Sequence, residues 1–359
     1  MRLVVAGGGT GGHLFPGIAV VEEFLARGGG NEALFVGSER GIEARVLPRL
    51  GLRHRFISAS GIRGKGLLSK LKGVTMLFFS YSQALGILRG FRPDRVLGVG
   101  GYASGPVVMA AKGMGLKCFI HEQNSVPGLT NRALGRISDR VFISLEDAER
   151  YFPREKVIVT GNPVRKEILA SILESGNGGK EKGEFHLLVF GGSAGAHNIN
   201  KKMIETLPYL ERFRERLRIT HQTGDNDLDE VREVYKGLGF SADATAFIEN
   251  MAAAYRDADL IVCRAGATTV AEITACGKAC IFIPYPYAVD DHQRKNAEAL
   301  LKRGAGFMIL DRELTGESLG RLVGELIKNP EMIELAARSA KGLARIDAAR
   351  VIVDEMLKN

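Results

Sequence analysis

The chain has 359 residues, 45% hydrophobic and 25% charged, with a formal net charge of +8. That length and balance suit two ordinary globular domains and exclude a disordered or collagen-like chain. No run approaches the roughly 18 apolar residues of a membrane-crossing helix, and the basic residues are too scattered to mark a nucleic-acid surface. The positive excess fits a phosphorylated metabolite or an anionic membrane surface instead. Cys118, Cys263, Cys276 and Cys280 form no CxxC pair and have no histidine cluster beside them. They read as buried, reduced thiols and not as metal ligands.

In chain order, Met1–Ala6 runs straight into glycines and reads as a first strand, not a targeting segment. Short apolar runs at 2–6, 33–37, 95–99, 117–121, 139–144 and 157–160 alternate with helical patterns. A second series follows at 185–190, 217–221, 245–248, 259–263, 279–283 and 306–310. Such alternation predicts right-handed βαβ units, hence an α/β fold of two Rossmann-like parallel-sheet domains facing a central cleft. The hinge Thr160–Arg165 divides an N-terminal domain, 1–161, from a C-terminal domain, 162–342. The helical pattern within 343–359 is a candidate to pack back on the first domain. Gly-rich, charged 176–183 reads as a loop at the edge of the second.

One glycine turn occurs twice: Gly7-Gly8-Gly9-Thr10-Gly11-Gly12-His13 and, half a chain later, Gly191-Gly192-Ser193-Ala194-Gly195-Ala196-His197. Glycines let backbone N–H groups approach a ligand, and a helix N-terminus just beyond favours anions. Gly7-x-Gly9-x-x-Gly12 formally satisfies the dinucleotide fingerprint. Against that reading, Pro16 looks like the first residue of a helix starting several residues later. The acid expected after the second strand is represented only by a late Glu39. Ser193 suits a phosphate oxygen, and His197 suits a loop brace. A histidine can take a proton from a hydroxyl nucleophile, which makes His13 a candidate base.

Further along, Gly100-Gly101-Tyr102-Ala103-Ser104-Gly105-Pro106 is another strand-to-helix turn, with Pro106 placed to open the helix. His121-Glu122-Gln123-Asn124 ends a strand, where active-site loops emerge. With GGGTGGHLFPG at 7–17, SGIRGKG at 60–66, GNPVR at 161–165, FGGSAGA at 190–196, HQTG at 221–224, FIENMAAAY at 247–255, CRAGATTVAEI at 263–273 and DHQRKNA at 291–297, these motifs carry a full-length resemblance. The chain resembles the MurG family, bacterial N-acetylglucosaminyltransferases of peptidoglycan synthesis.

The resemblance implies a GT-B fold and an inverting transfer of N-acetylglucosamine from UDP-GlcNAc. The implied acceptor is the 4-hydroxyl of undecaprenyl-diphospho-MurNAc-pentapeptide (lipid I), and the product is lipid II. No metal or other cofactor is expected; Asp225-Asn226-Asp227 precedes a helical pattern and reads as an N-cap with first-turn acids. By the same resemblance Ser193, the amides of 191–195, Ala267, Thr268 and Thr269 face the donor diphosphate. Glu272 faces the ribose, Ile248 the uracil, and Asn124, His292 and Gln293 the donor sugar, with Arg165 a donor-side residue at the hinge facing the cleft. Thr10, Gly11 and Gly12 serve donor and acceptor, while Gly9, Tyr102 and Ser104 serve the acceptor. His13 is the expected catalytic base and Glu122 the second candidate. His292 stands where some relatives carry glutamine, and Thr268 where some carry leucine.

The stretch from Ser60 to Phe79 interleaves Leu67, Leu68, Leu71, Leu77, Phe78 and Phe79 with Arg63, Lys65, Lys70 and Lys72. Periodicity suits a core helix and a membrane-surface segment equally; a lipid acceptor favours the surface. The implied location is peripheral, on the cytoplasmic face of the membrane. Anionic lipid and other cell-wall synthesis proteins are the implied partners, with no nucleic acid. A GT-B relative acting on another lipid such as diacylglycerol, a non-catalytic nucleotide-binding module and a dehydrogenase stand as alternatives. The joint presence of His13, Glu122, Glu272 and Gln293 argues against the non-catalytic module.

Overall fold

The computed structural model describes residues 1–59, 67–173, 183–192 and 195–358, without the side chains of 67–74 and 173. They form two compact units, residues 1–165 with 345–359, and residues 166–344. The change of unit follows Arg165 rather than Gly161. Gly161 packs against Arg345 and Ala348, and the Arg165 guanidinium lies 5.0 Å from the Phe15 ring centroid, all within the first unit.

In the first unit β1 (Arg2–Gly7), α1 (Gly11–Ala26), β2 (Glu32–Ser38), α2 (Glu43–Arg49), β3 (His54–Ile57) and α3 (Leu67–Phe91) lead to β4 (Arg95–Gly100). Then come α4 (Ser104–Gly113), β5 (Lys117–Glu122), α5 (Leu129–Ile137), β6 (Arg140–Ile143) and β7 (Val157–Val159). Seven parallel strands lie in the order β3-β2-β1-β4-β5-β6-β7. The unbroken apolar run of β1 follows from burial on both faces. Leu3 and Val5 pack with Leu14, Ile18 and Phe24 of α1, while Val4 and Ala6 pack on the face covered by Leu88 of α3 and Val107 of α4. Each such fully buried side chain contributes roughly 1.5–3 kcal/mol, which makes the sheet a rigid base for the loops at its end.

The second unit holds α6 (Lys166–Leu173), β8 (Phe185–Phe190), α7 (His197–Leu210), β9 (Leu217–Gln222), α8 (Leu228–Gly237), β10 (Ser241–Thr245) and α9 (Met251–Asp257). It continues with β11 (Leu260–Cys263), α10 (Ala267–Cys276), β12 (Ala279–Phe282), α11 (His292–Leu301), β13 (Phe307–Met308), α12 (Gly316–Lys328) and α13 (Pro330–Gly342). Its parallel strands follow β10-β9-β8-β11-β12-β13. The last helix, α14 (Ala348–Leu357), belongs to the first unit. Its Ile352, Val353 and Met356 enter the core beside α1, and Arg95 Nε donates to the Met356 carbonyl at 3.1 Å. In both sheets the direction of strand addition reverses once, between β1 and β4 and between β8 and β11, which is where open α/β sheets bind ligands.

Four local expectations change. The β3 strand is additional, and β10 occupies 241–245 instead of 245–248. Helix α1 starts at Gly11, so Pro16 lies inside it and not at its first position. Helix α4 starts at Ser104, putting Pro106 third, where a helix residue still needs no N–H partner. The 60–66 motif and all of the 176–183 loop except Gly183 lie outside the described residues. Among those described, no helix is long and apolar enough to cross a membrane.

Candidate active site

In the first unit the turns after β1 and β4 interlock. The β1–β4 register shifts between Ala6 and Gly7, so that Gly7 pairs with Gly100, and Gly8 N–H donates to the Gly100 carbonyl at 3.3 Å. Thr10 is the N-cap of α1 by position, but its side chain does not cap the helix. Its Oγ1 lies 3.1 Å from His13 Nδ1 instead. The imidazole sits over Gly100: a Cβ there would come within 2.6 Å of His13 Cδ2, and φ is +93°. Glycine at 100 therefore makes the seat for this ring.

The strand-end cluster of β5 works differently from expectation. Glu122 is 2% exposed. It accepts from Asn124 N–H at 3.0 Å, Asn124 Nδ2 at 3.2 Å and Asn131 Nδ2 at 2.8 Å. Burial raises its pKa against the opposing pull of those hydrogen bonds. His121 donates from Nε2 to the Gly161 carbonyl at 3.2 Å and accepts at Nδ1 from Gln123 Nε2 at 3.2 Å. Burial holds its pKa down to about 4, a neighbouring His13 adding to the effect. Tyr102 is exposed, whereas Ser104 is fully buried under β4 against Gly98 and is no surface contact for an acceptor. The Gly9 N–H is engaged within the protein, donating to Glu43 at 2.7 Å.

Glu43 also answers the dinucleotide question. The helix does begin within the glycines, so the argument from Pro16 fails. In its place, the acid following β2 turns back and takes a loop amide that a dinucleotide phosphate would need.

In the second unit, Gln222 at the end of β9 bridges two loops. Its Nε2 donates to the Gly192 carbonyl at 2.7 Å, and its Oε1 accepts from Ile248 N–H at 3.0 Å. The Ile248 N–H is thus engaged by the protein. Beneath the glycine turn runs a chain of bonds. His197 Nδ1 meets Asp227 at 2.9 Å, Asn200 Nδ2 donates to Asp227 and to the Thr223 carbonyl at 2.7 Å each, and His221 Nε2 donates to Asn200 Oδ1 at 3.1 Å. Tyr235 O–H closes it on His221 Nδ1 at 2.9 Å. Burial lowers the His221 pKa to about 3, against the pull of Asp227. Asp227 stands at the N-cap position of α8 without capping it; partial burial pushes its pKa up, but hydrogen bonds from His197 and Asn200 hold it below the usual range. His197 is a loop brace.

Ala267, Thr268 and Thr269 form the first turn of α10, whose N-cap Gly266 offers no side chain. Glu272, 2% exposed, accepts from Tyr255 O–H at 3.0 Å. His292 Nδ1 donates to the Val289 carbonyl at 2.8 Å, and Gln293 Oε1 accepts from Tyr285 N–H at 3.0 Å. These two side chains brace a loop in which Asp290 and Asp291 are both left-handed, at φ 53° and 55°. Ser193 lies outside the described residues. Among those described, no three His, Cys, Asp or Glu side chains group so as to hold a metal ion. Gln222, Asn200, Tyr255 and Glu43 had no assigned role in the sequence; HQTG and FIENMAAAY contained two of them.

Residues 3–143 match the glycosyltransferase family 28 N-terminal domain, and 186–352 match the family 28 C-terminal domain. A UDP-N-acetylglucosamine–N-acetylmuramyl-(pentapeptide) pyrophosphoryl-undecaprenol N-acetylglucosamine transferase of Geotalea uraniireducens is 62% identical, covering 100% of this chain and 98% of its own. The protein of the same name from Geobacter metallireducens is 60% identical, over 99% and 98%. The crystal structure of Acinetobacter baumannii MurG superposes with a TM-score of 0.80 at 31% identity, covering 100% of this chain and 99% of its own. A UDP-GlcNAc 2-epimerase from Neisseria meningitidis, at 16% identity and a TM-score of 0.70 over 100% of both chains, shares the fold alone.

Proposed function

The chain belongs to the MurG family within glycosyltransferase family 28, and we propose that it performs the reaction its relatives are named for. N-acetylglucosamine would pass from UDP-GlcNAc to the 4-hydroxyl of undecaprenyl-diphospho-MurNAc-pentapeptide, with inversion, to give lipid II. The fold is of the GT-B class, two Rossmann-like parallel-sheet domains. Whole-chain identity of 62% to an enzyme bearing that name carries the reading.

The roles proposed for the residues are those the family resemblance implies, and their chemistry suits them. Glu272 takes the ribose hydroxyls, Ile248 packs by the uracil, and Ser193 with the first turn of α10 takes the donor diphosphate. Helix-terminal amides there stabilise the departing UDP. Gln293, His292 and Asn124 face the donor sugar, with Arg165 a donor-side residue at the hinge. Thr10, Gly11 and Gly12 take the acceptor side, and Tyr102 adds an exposed edge. His13 is the base. Glu122, saturated by Asn124 and Asn131, organises its loop. No metal is assigned a step. UDP release from UDP-GlcNAc and a lipid I analogue, against an acceptor-free control, tests the reading; the expected rate is acceptor-dependent and unchanged by EDTA. Release indifferent to acceptor would overturn the transferase assignment, and loss with EDTA the metal-free one.

We further propose a peripheral position on the cytoplasmic membrane face. Leu77, Phe78 and Phe79 of α3 are 45%, 78% and 59% exposed, an apolar group suited to the headgroup region. The side chains of Leu67, Leu68, Lys70, Leu71 and Lys72 lie outside the description. Converting Phe78 and Phe79 to glutamate should weaken sedimentation with anionic vesicles by about 10-fold or more, since each phenylalanine buries roughly 1.5–3 kcal/mol of apolar surface. Binding insensitive to those changes and to the lipid charge would refute membrane contact there.

A further inference from the structure

The first residue of α2, Glu43, is fully buried, and among the described residues no ion pair involves it. Its Oε1 accepts from Ser38 N–H at 2.8 Å and Ser38 Oγ at 2.7 Å, and its Oε2 accepts from Gly9 N–H at 2.7 Å. Three positions without side chains surround it. A Cβ at Gly8 would stand 2.4 Å from Glu43 Cδ, one at Gly37 2.5 Å from Cγ, and one at Gly41 2.1 Å from Oε2. The glycine turn after β1 and the segment 37–41 just before Glu43 thus leave a space shaped to this one side chain.

We infer that Glu43 is the positioning residue for the acceptor-side glycine turn and, through it, for His13. The inference rests on the proposed transferase reading. Drawing the Gly9 amide inward fixes where Thr10 begins, and Thr10 in turn holds His13 Nδ1. A displaced turn would leave His13 intact but misaimed at the attacking hydroxyl. Misplacement by about 1 Å costs on the order of 100-fold in rate. The carboxylate also fills the anion position of the turn, so an acceptor diphosphate meets Gly11 and Gly12 and not the inner amides.

Glu43→Gln tests this at nearly constant volume. A carboxamide has one accepting oxygen, so keeping both Ser38 bonds turns its NH2 group against Gly9 N–H. Ser38→Ala is the comparator: it removes one bond from the same carboxylate and spares Gly9. We expect Glu43→Gln to lower kcat about 10-fold to 100-fold with the KM for UDP-GlcNAc unchanged, and Ser38→Ala to keep most of kcat at a similar loss of stability. Equal kcat losses in both variants, or a loss matched by a rise in donor KM, would overturn the positioning role. If Glu43→Gln does not fold, amide exchange in the wild-type protein decides. Gly9 N–H protected like the β1 amides supports the role, and exchange at a loop rate overturns it. Inactivity of the wild-type protein on lipid I would sink the transferase reading alone, because the exchange result does not depend on it.

Discussion

Replacing His13 with alanine should lower kcat for sugar transfer by about 10²–10⁴-fold, the usual contribution of a positioned base, and should leave UDP affinity unchanged. A single displacement requires the acceptor hydroxyl to lose its proton as it attacks, and a neutral imidazole is the side chain best matched to that task near pH 7. When Nδ1–H is donated to Thr10 Oγ1, the basic lone pair resides on Nε2, and the same bond persists in the imidazolium. A base oriented by a third group in this way is a recurring catalytic arrangement. Gly100→Ala should share the signature, since its methyl would stand 2.6 Å from the ring. Thr10→Val should lose less, because it frees the ring without removing it. Initial rates at saturating UDP-GlcNAc and calorimetric UDP titration separate the two quantities. A UDP affinity that falls in step with kcat would remove His13 from the role of base, as would a kcat within about threefold of wild type.

The architecture was legible because burial on both faces writes parallel strands as unbroken apolar runs. Leu3-Val4-Val5-Ala6 and Leu187-Leu188-Val189-Phe190 are such runs, and the alternation around them yields two like-ordered sheets. Edge strands carry a weaker signal. The β3 residues His54-Arg55-Phe56-Ile57 begin with two polar side chains, Arg55 exposed, and β10 is Ser241-Ala242-Asp243-Ala244-Thr245, a less apolar run than 245–248. Pro16 misled because its fixed φ suits any helical position, while the glycines upstream adopt helical geometry without a side-chain signal. Glu43 was invisible for a different reason. Gly37 and Gly41 stand close by in the chain, but Gly8 and the Gly9 amide that complete its surroundings come from 34 or more residues upstream, and only the tertiary fold brings them there. Ser104 sits in a glycine turn, a context that suggested exposure, but the start of α4 folds beneath β4. The motifs lie at strand ends and helix starts; they did not distinguish exposed side chains from those that hold the loops in shape.

Acidification should open the second unit before the first. His221 and His121 are buried neutral, at about 3 and about 4, against about 6.5 in an unfolded chain. Folded-state values below the unfolded one mean that unfolding takes up protons. The stability they contribute is complete above about pH 6.5 and is lost as pH falls towards the folded values. By pH 5 each histidine has cost roughly 2 kcal/mol relative to the fully neutral state, about 30-fold in an opening equilibrium. In the first unit Glu122 opposes this. Its raised value makes the folded state bind the extra proton, so its contribution improves as pH falls through that value. The second unit has no such offset at this site, since the lowered value of Asp227 gives stability that acid removes. Buried thiols report each unit separately: Cys118 in the first, Cys263 and Cys280 in the second. With a pyridyl disulfide, labelling of Cys280 divided by the rate of the denatured chain at the same pH, which removes the change in thiolate fraction, should rise about 10-fold to 30-fold between pH 7 and 5, and that of Cys118 less. His221→Gln should be less stable at pH 7, having broken the bonds to Tyr235 and Asn200, yet show a flatter pH response. A wild-type Cys280 rate flat with pH, or a variant slope equal to wild type, would remove His221 as the origin of the acid sensitivity.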